Sequence, residues 1–286
     1  MIENYYYFAY YLHKKVLSTQ KICFEESLHQ AHIFQSQNAI IYYRYEKYDS
    51  EFYGFPIFKI IYANENLTKT IFQDFLGVIF HTHSKAYIWA DLPSEDNFLL
   101  QKLTASGMKI IETRLHFFTK NFTHYQKKRF DVKNADVLDL PLLKKIAAEN
   151  PNLYDRHHSE PFFCEKADLY LAMYVENALK GFCDSVLMPA QLPNFAFMAL
   201  NIRPEKSLDA LIAKPIVSAV APQNKGWHFK LLYACMQAGA CAKADIALMN
   251  TQTTNKAVIK NFEKLKLSYG ATSHILGLKA EEFLLH

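Results

Sequence analysis

At 286 residues, half of them hydrophobic and 21% charged, the chain has material for one large domain or two smaller ones with a sizeable core. The formal charge of +4 is spread over 32 basic and 28 acidic residues, and the basic cluster Lys127-Lys128-Arg129 has no RNA- or DNA-binding motif around it, so no nucleic-acid partner is expected. Five cysteines, an odd number with no C-x-x-C pair, argue against a disulfide framework and for a reducing compartment.

Met1–Leu17 begins with a Glu and several Tyr and does not read as a signal peptide. No apolar run reaches the length of a membrane span, so a cytoplasmic protein without membrane insertion is expected. Tyr5–Val16 has the pattern of an amphipathic helix, and Ala39–Tyr45, rich in Ile and Tyr, that of a strand. Tyr48-Asp49-Ser50-Glu51-Phe52-Tyr53-Gly54-Phe55 reads as a tight bend leading through Pro56 into a strand, Ile57–Tyr62. In His81-Thr82-His83 the spacing places both imidazoles on one face of a strand. Zinc needs a third and usually a fourth ligand, and no partner motif stands out, so no metal is expected. Ala86–Asp91, Leu100–Met108 and Ile110–Leu115 follow as strand, helix and strand.

Lys127–Asn134 reads as a polar connection. Asp136–Glu149, with leucines and Ile146 at helical spacing, reads as a helix entered through an acidic turn and ended by Pro151. The segment Asn152–Phe163 is dense in groups that accept, donate or relay protons, among them Tyr154, Arg156, His157 and His158. A helix over Ala167–Leu179 closes at Gly181, and strands follow at Ser185–Met188, Phe195–Asn201 and Ile216–Ala221. Leu208-Asp209-Ala210-Leu211 either begins the last of these strands or connects to it. Then comes Pro222-Gln223-Asn224-Lys225-Gly226, and a helix from Trp227 that Gly239 ends. Strand, glycine-bearing turn and helix aim unpaired N–H groups at one spot, which suits a phosphate or diphosphate, although any α/β protein needs such turns. A strand at Ala244–Asn250, a helix at Asn255–Leu265 and a closing strand at Ala271–Leu276 complete the chain.

Several of these stretches resemble the GNAT N-acetyltransferases. Gln223-Asn224-Lys225-Gly226-Trp227-His228 is similar to the family's loop Q/R-x-x-G-x-G/A, and Asn255-Lys256-Ala257-Val258 to its later motif N-x-x-A-x-x-x-Y. Tyr48–Phe55 resembles the W-D-S-E-F-F-G-F signature of proteins like TDP-fucosamine acetyltransferase, and Tyr174-Val175-Glu176-Asn177-Ala178 resembles the end of their W-I-E-N-S/A helix. His228 stands where the family prefers a small residue, and Phe262 where it has Tyr.

The resemblance implies an α/β (α+β) protein with a mixed central sheet flanked by helices: a truncated GNAT-like half over 1–125 and an acetyltransferase domain over 126–286. It implies acetyl-CoA as co-substrate and a small-molecule amine as partner, a nucleotide-linked amino sugar foremost, and leaves a homodimer open. A different small-molecule or peptide amine, or an acyl-CoA-binding module with little turnover, are the rival readings. Diphosphate would sit on the N–H groups of Lys225, Gly226, Trp227, His228 and Phe229, with Gln223 and Asn224 shaping the turn. Asn255 and Phe262 would face the cofactor's arm, and the strand end Val220-Ala221 would supply the oxyanion donor. Tyr154, Arg156, His157 and His158 would border the acceptor, with His157 a candidate base. Phe262 cannot return a proton to the departing thiolate, so Tyr269 or an ordered water would have to do so.

Overall fold

The computed structural model describes residues 31–64, 66–205 and 210–284. The expected helix Tyr5–Val16, Cys23, and Leu208-Asp209 lie outside the described residues. The chain divides into two units: one takes in 31–114 and 271–284, the other is Leu115–Gly270. The boundary expected at 125 thus lies inside the second unit, and the end of the chain groups with the first.

The first unit opens on a hairpin, β1 (His32–Ser36) with β2 (Ala39–Tyr45), which turns at Gln37 with φ 52°. β3 (Ile57–Ala63) lies antiparallel to β2 and parallel to β4 (Tyr87–Pro93), in the order β1-β2-β3-β4. Between β2 and β3 the expected bend is a short helix, α1 (Lys47–Tyr53), stopped by Gly54 in the left-handed region. The buried Ser50 hydroxyl explains why a polar residue is needed there: it donates to Glu46 O at 2.8 Å and accepts from Ile57 N–H at 2.9 Å, which starts β3.

The crossover from β3 to β4 is α2 (Lys69–Thr82), begun by Thr68, whose side chain accepts from Ile71 N–H. Its Phe72, Phe75, Leu76, Ile79 and Phe80 bury one stripe against Phe58, Ile60, Ile88 and Ala90. His81 is therefore in the last turn of a helix and His83 is its cap, not a strand pair; two positions apart on a helix, the imidazoles diverge by about 200°. Among the described residues, no group of three His, Cys, Asp or Glu side chains could hold a metal ion. After α3 (Asn97–Ala105), β5 (Lys109–Thr119) crosses the division between the units. Lys59 lies over the Trp89 ring at 4.3 Å, and Arg114 pairs with the buried carboxylates of Glu112 and Asp91.

In the second unit the strand order is β5-β10-β9-β8-β7-β6, with β6 (Val132–Asn134), β7 (Ser185–Pro189), β8 (Ala196–Glu205), β9 (Ala210–Val220) and β10 (Ile246–Gln252). The polar connection expected over 127–134 thus ends in a strand, antiparallel to β7. Alternation along β8 splits the core: Phe197 and Ala199 face α4 (Leu140–Glu149) and α5 (Ala167–Asn177), whereas Met198 and Leu200 face α6 (Trp227–Cys241). α5 runs into a wider turn, Ala178–Phe182, capped by Cys183; Gly181, expected to cap the helix, lies inside this turn with φ 103°. α7 (Lys256–Lys264) follows β10. The chain ends in β11 (Ser268–Lys279), whose Ser273–Lys279 pairs antiparallel with β4, and α8 (Ala280–Leu284). No helix of the described residues is long and apolar enough to cross a membrane.

Gly239 does not end α6, which continues to Cys241. It is a packing residue: a Cβ there would stand 2.9 Å from Ala213 Cβ and 3.0 Å from Phe122 Cε1. The helix can lie this close to β9 only because the position has no side chain.

Candidate functional site

The second unit contains a cavity of about 570 Å³. Its walls come from β9 and β10, and the reason is local. These parallel strands pair, among the described residues, only at Ile212↔Ile246 and Ala213↔Ala247. Two residues further on, β9 carries Pro215, which has no N–H to give a ladder. There the pairing with β8 also shifts, from Leu200↔Pro215 to Ala199↔Val217, so that Ile216 is one residue in excess. A bulge of this kind bends and twists its strand. Beyond it Pro215–Val220 and Met249–Gln252 line opposite sides of the cavity.

Backbone alternation then sets what faces the gap. Ala221 N–H donates to Phe195 O at 3.0 Å, so it points toward β8. Val220 and Ser218, one and three residues earlier, turn their N–H groups the opposite way, toward the side where β10 has parted. Of the two residues expected at the strand end, Val220 lines the cavity and Ala221 is buried in the ladder.

The turn after β9 is a single 3-10 turn, Pro222–Asn224. Gln223 is exposed; Asn224 is buried and its amide donates to Pro193 O at 2.7 Å, anchoring the turn. Lys225 N–H is already committed to Pro222 O at 3.2 Å, which removes it from the set of amides offered to an anion. Gly226, φ 93°, caps α6 in a conformation that side chains rarely adopt. The N–H groups that follow belong to the first turn of α6, where no intrahelical acceptor exists. Trp227 lies beneath Lys230 Nζ, 4.3 Å from the ring centre, and Phe229 packs toward Phe130 and Tyr233; neither lines the cavity.

His228 does line it, and its Nδ1 lies 2.9 Å from the Asn261 amide of α7. Burial pushes the imidazole down to about 4, so it is neutral near pH 7. Asn255 lines the cavity while its side chain caps α7 by accepting from Val258 N–H at 3.3 Å. Phe262 is a further wall residue, 2% exposed and 5.1 Å from the Phe117 ring. Tyr269, half exposed against Phe117, is not on the wall.

The other end is closed by the segment 150–155 after α4. Asn152 donates to Gln252 Oε1 at 3.1 Å and so holds this segment against β10. Tyr154 lines the cavity; Arg156, His157 and His158 do not. Arg156 Nε donates to His157 Nε2 at 3.2 Å, and the buried His157 ring stacks on Tyr170 at 4.0 Å. His158 bridges Asp155 at 2.8 Å and Asp168 at 3.0 Å, and its hydrogen bond to Asp155 raises its pKa. Ser218, Asn250, Thr251 and Asn261, none of them expected at the site, also line the cavity, as does Asp155 of the segment Asn152–Phe163.

A parallel strand pair that parts around a cavity, joined by a helix whose first turn lies beside it, is an α/β arrangement that leaves an open groove between strands. No sequence profile of a known family matches the chain, and no curated protein does. Solved structures do. A GCN5-related N-acetyltransferase from Kribbella flavida superimposes with a TM-score of 0.54 over 91% of this chain and 94% of its own, at 11% identity. A conserved Staphylococcus epidermidis protein of unknown function gives 0.59 over 90% and 98%, at 11% identity. A GNAT-family acetyltransferase from Colwellia psychrerythraea gives 0.50 over 84% and 80%, also at 11% identity. The chain therefore has the fold of the GNAT acetyltransferases, a mixed sheet flanked by helices.

Proposed function

We propose that the second unit is an N-acetyltransferase that uses acetyl-CoA and a primary amine, and that the first unit is a truncated copy of the same fold. The observation that carries this is the parting of β9 from β10 at Pro215, with the start of α6 beside the gap. Acetyl-CoA would supply an acetyl thioester. The N–H groups at the start of α6, from Gly226 onward, would hold its diphosphate, and Asn255 and Asn261 would line its arm. The Val220 N–H, turned toward the gap, would donate to the oxyanion. In the reaction the amine nitrogen forms the new C–N bond, the C–S bond breaks, and the proton lost by nitrogen balances the thiolate. Phe262 cannot carry that proton, and the neutral His228, whose Nδ1 faces Asn261, can offer the sulfur only a hydrogen bond.

A second reading, an acyl-CoA-binding module with little turnover, is favoured by Phe262 and His228 on the same wall. The resemblance of Tyr48–Phe55 points to a nucleotide-linked amino sugar as acceptor, but that stretch lies in the first unit and not on the cavity, so it does not set what the cavity wall accepts. Calorimetric titration with acetyl-CoA followed by thiol release across a panel of amines tests all of this. Binding with turnover is the expected result. Binding without turnover selects the module, and no measurable affinity for acetyl-CoA overturns the proposal.

A further inference from the structure

The charge of the cavity wall is lopsided. Among the described residues that line it there is no lysine and no arginine, and the single carboxylate is Asp155. The other polar side chains are neutral; six are carboxamides, Asn150, Asn152, Asn250, Gln252, Asn255 and Asn261. Unused bonding capacity lies on the 150–155 segment and on β9 and β10. Both contacts from His158, its N–H at 3.0 Å and its Nδ1 at 2.8 Å, fall on Asp155 Oδ1, so Oδ2 carries no hydrogen bond from the described residues. The Asn250 amide and the hydroxyls of Ser218 and Tyr154 likewise have no protein partner among the described residues.

From this we infer the acceptor's chemical class, an inference that rests on the acetyl-transfer reading: a cationic amine whose other groups are neutral hydroxyls or amides, without phosphate, held through an ammonium by Asp155. Before it attacks, the reacting nitrogen gives its ammonium proton to water, since only the free amine has a lone pair for the new C–N bond. A carboxylate attracts an ammonium and repels a phosphate at the same place, and no cation on the wall offsets that repulsion. Neutral amides and hydroxyls donate and accept, which matches hydroxyl- or amide-bearing substrates and gives a phosphate no charge-assisted bond. Asp155 is thus a specificity residue. His158 positions it by occupying Oδ1, and Asp168, on the far side of His158 and off the wall, completes the bridge.

The test uses the full chain with acetyl-CoA and compares 1,4-diaminobutane and glucosamine with glucosamine 6-phosphate and a UDP-linked amino sugar. The phosphate-free amines are expected to have the higher kcat/KM by at least about tenfold, the size of one charge-assisted bond. Asp155→Asn keeps the Oδ1 acceptor and is expected to raise KM for the diamine about tenfold or more, with the KM for acetyl-CoA unchanged. Asp168→Asn loosens the same His158 without touching the wall, and is expected to leave the diamine KM unchanged. Equal KM effects from both variants would reduce Asp155 to a structural role and overturn the inference. So would a preference for the phosphorylated amines, with acetyl transfer itself left standing. No binding of acetyl-CoA would remove both.

Discussion

Gly239 offers a direct test of how α6 is held on β9. Ordinarily an alanine in place of a mid-helix glycine stabilises by about 1 kcal/mol, because glycine loses more backbone freedom on folding. Here the added Cβ meets Ala213 Cβ at 2.9 Å and Phe122 Cε1 at 3.0 Å. Both neighbours are fixed, one as the first atom of a side chain on a paired strand, the other in the same core cluster. Overpacking of this kind costs about 1–3 kcal/mol. Gly239→Ala should therefore come out net destabilising by ~1 kcal/mol, the opposite sign from an exposed helix. Gly239→Val adds two further methyls with less propensity gain, and should cost ~2–4 kcal/mol, a fall of roughly 5–10 °C in melting temperature for a chain of this size. Both variants push on the helix whose first turn lies beside the cavity, so acetyl-CoA affinity should fall in the same order. Thermal unfolding by circular dichroism reads the first effect and calorimetry the second. A higher melting temperature for Gly239→Ala would refute the close approach of α6 to β9 and the account of Gly239 built on it.

Phe262→Tyr should raise the rate of thiol release by about 10²–10⁴-fold if proton delivery limits turnover, at a stability cost of about 1–3 kcal/mol if the new hydroxyl finds no partner; an unchanged rate would show that proton delivery is not limiting. Arg114→Ala leaves Glu112 and Asp91, each with side chains 1% exposed, without their guanidinium and should cost about 3–5 kcal/mol in chemical denaturation, whereas a loss under 1 kcal/mol would mean the carboxylates are satisfied elsewhere. The two histidines should affect the pH dependence of stability in opposite directions. His158, raised from 6.5 by its hydrogen bond to Asp155, contributes stability that is fully present below 6.5 and is lost as pH climbs through its raised value. His228, lowered from 6.5 to about 4 by burial, contributes none of its protonated form to the fold, so stability is lost as pH falls from 6.5 toward 4. His158→Gln should flatten the alkaline slope and His228→Gln the acid one, as read from urea midpoints across pH 4–9; identical profiles for variant and parent would contradict both assignments.

Periodicity was a good guide where one face alone is buried. α7 shows why: Val258, Phe262 and Leu265 recur at helical spacing, and the helix begins at Lys256 with Asn255 as cap, close to the expected Asn255–Leu265. Glycine and histidine were harder to read. Gly239 looks like a stop to any rule based on propensity, because the atom that demands it, Ala213 Cβ, lies on another element. His81 and His83 fit a strand by their spacing, yet the stripe Phe72, Phe75, Leu76, Ile79, Phe80 before them is a helix that had not ended. Ser50 and Gly54, read as parts of a bend, belong to a two-turn helix and its cap, a distinction that only the contact between Ser50 and Ile57 makes.

The gap at the heart of the site was written into the chain more openly than its occupant. A proline inside a run of strand-forming residues marks an edge or a bulge, and Pro215 sits between Ala210–Lys214 and Ile216–Val220. With no N–H at 215 and Ile216 in excess, β9 cannot keep its rungs with β10, so Ser218 and Val220 turn toward the side left open. Asp155, by contrast, spends its Oδ1 on capping the turn Arg156–Ser159. The role proposed for it depends on Asn152 reaching Gln252, 100 residues along the chain, which brings the 150–155 segment against β10. No local pattern encodes that contact. A carboxylate with one oxygen spent on its own turn and the other left over becomes informative only once the fold has placed it on a wall that has no other charge.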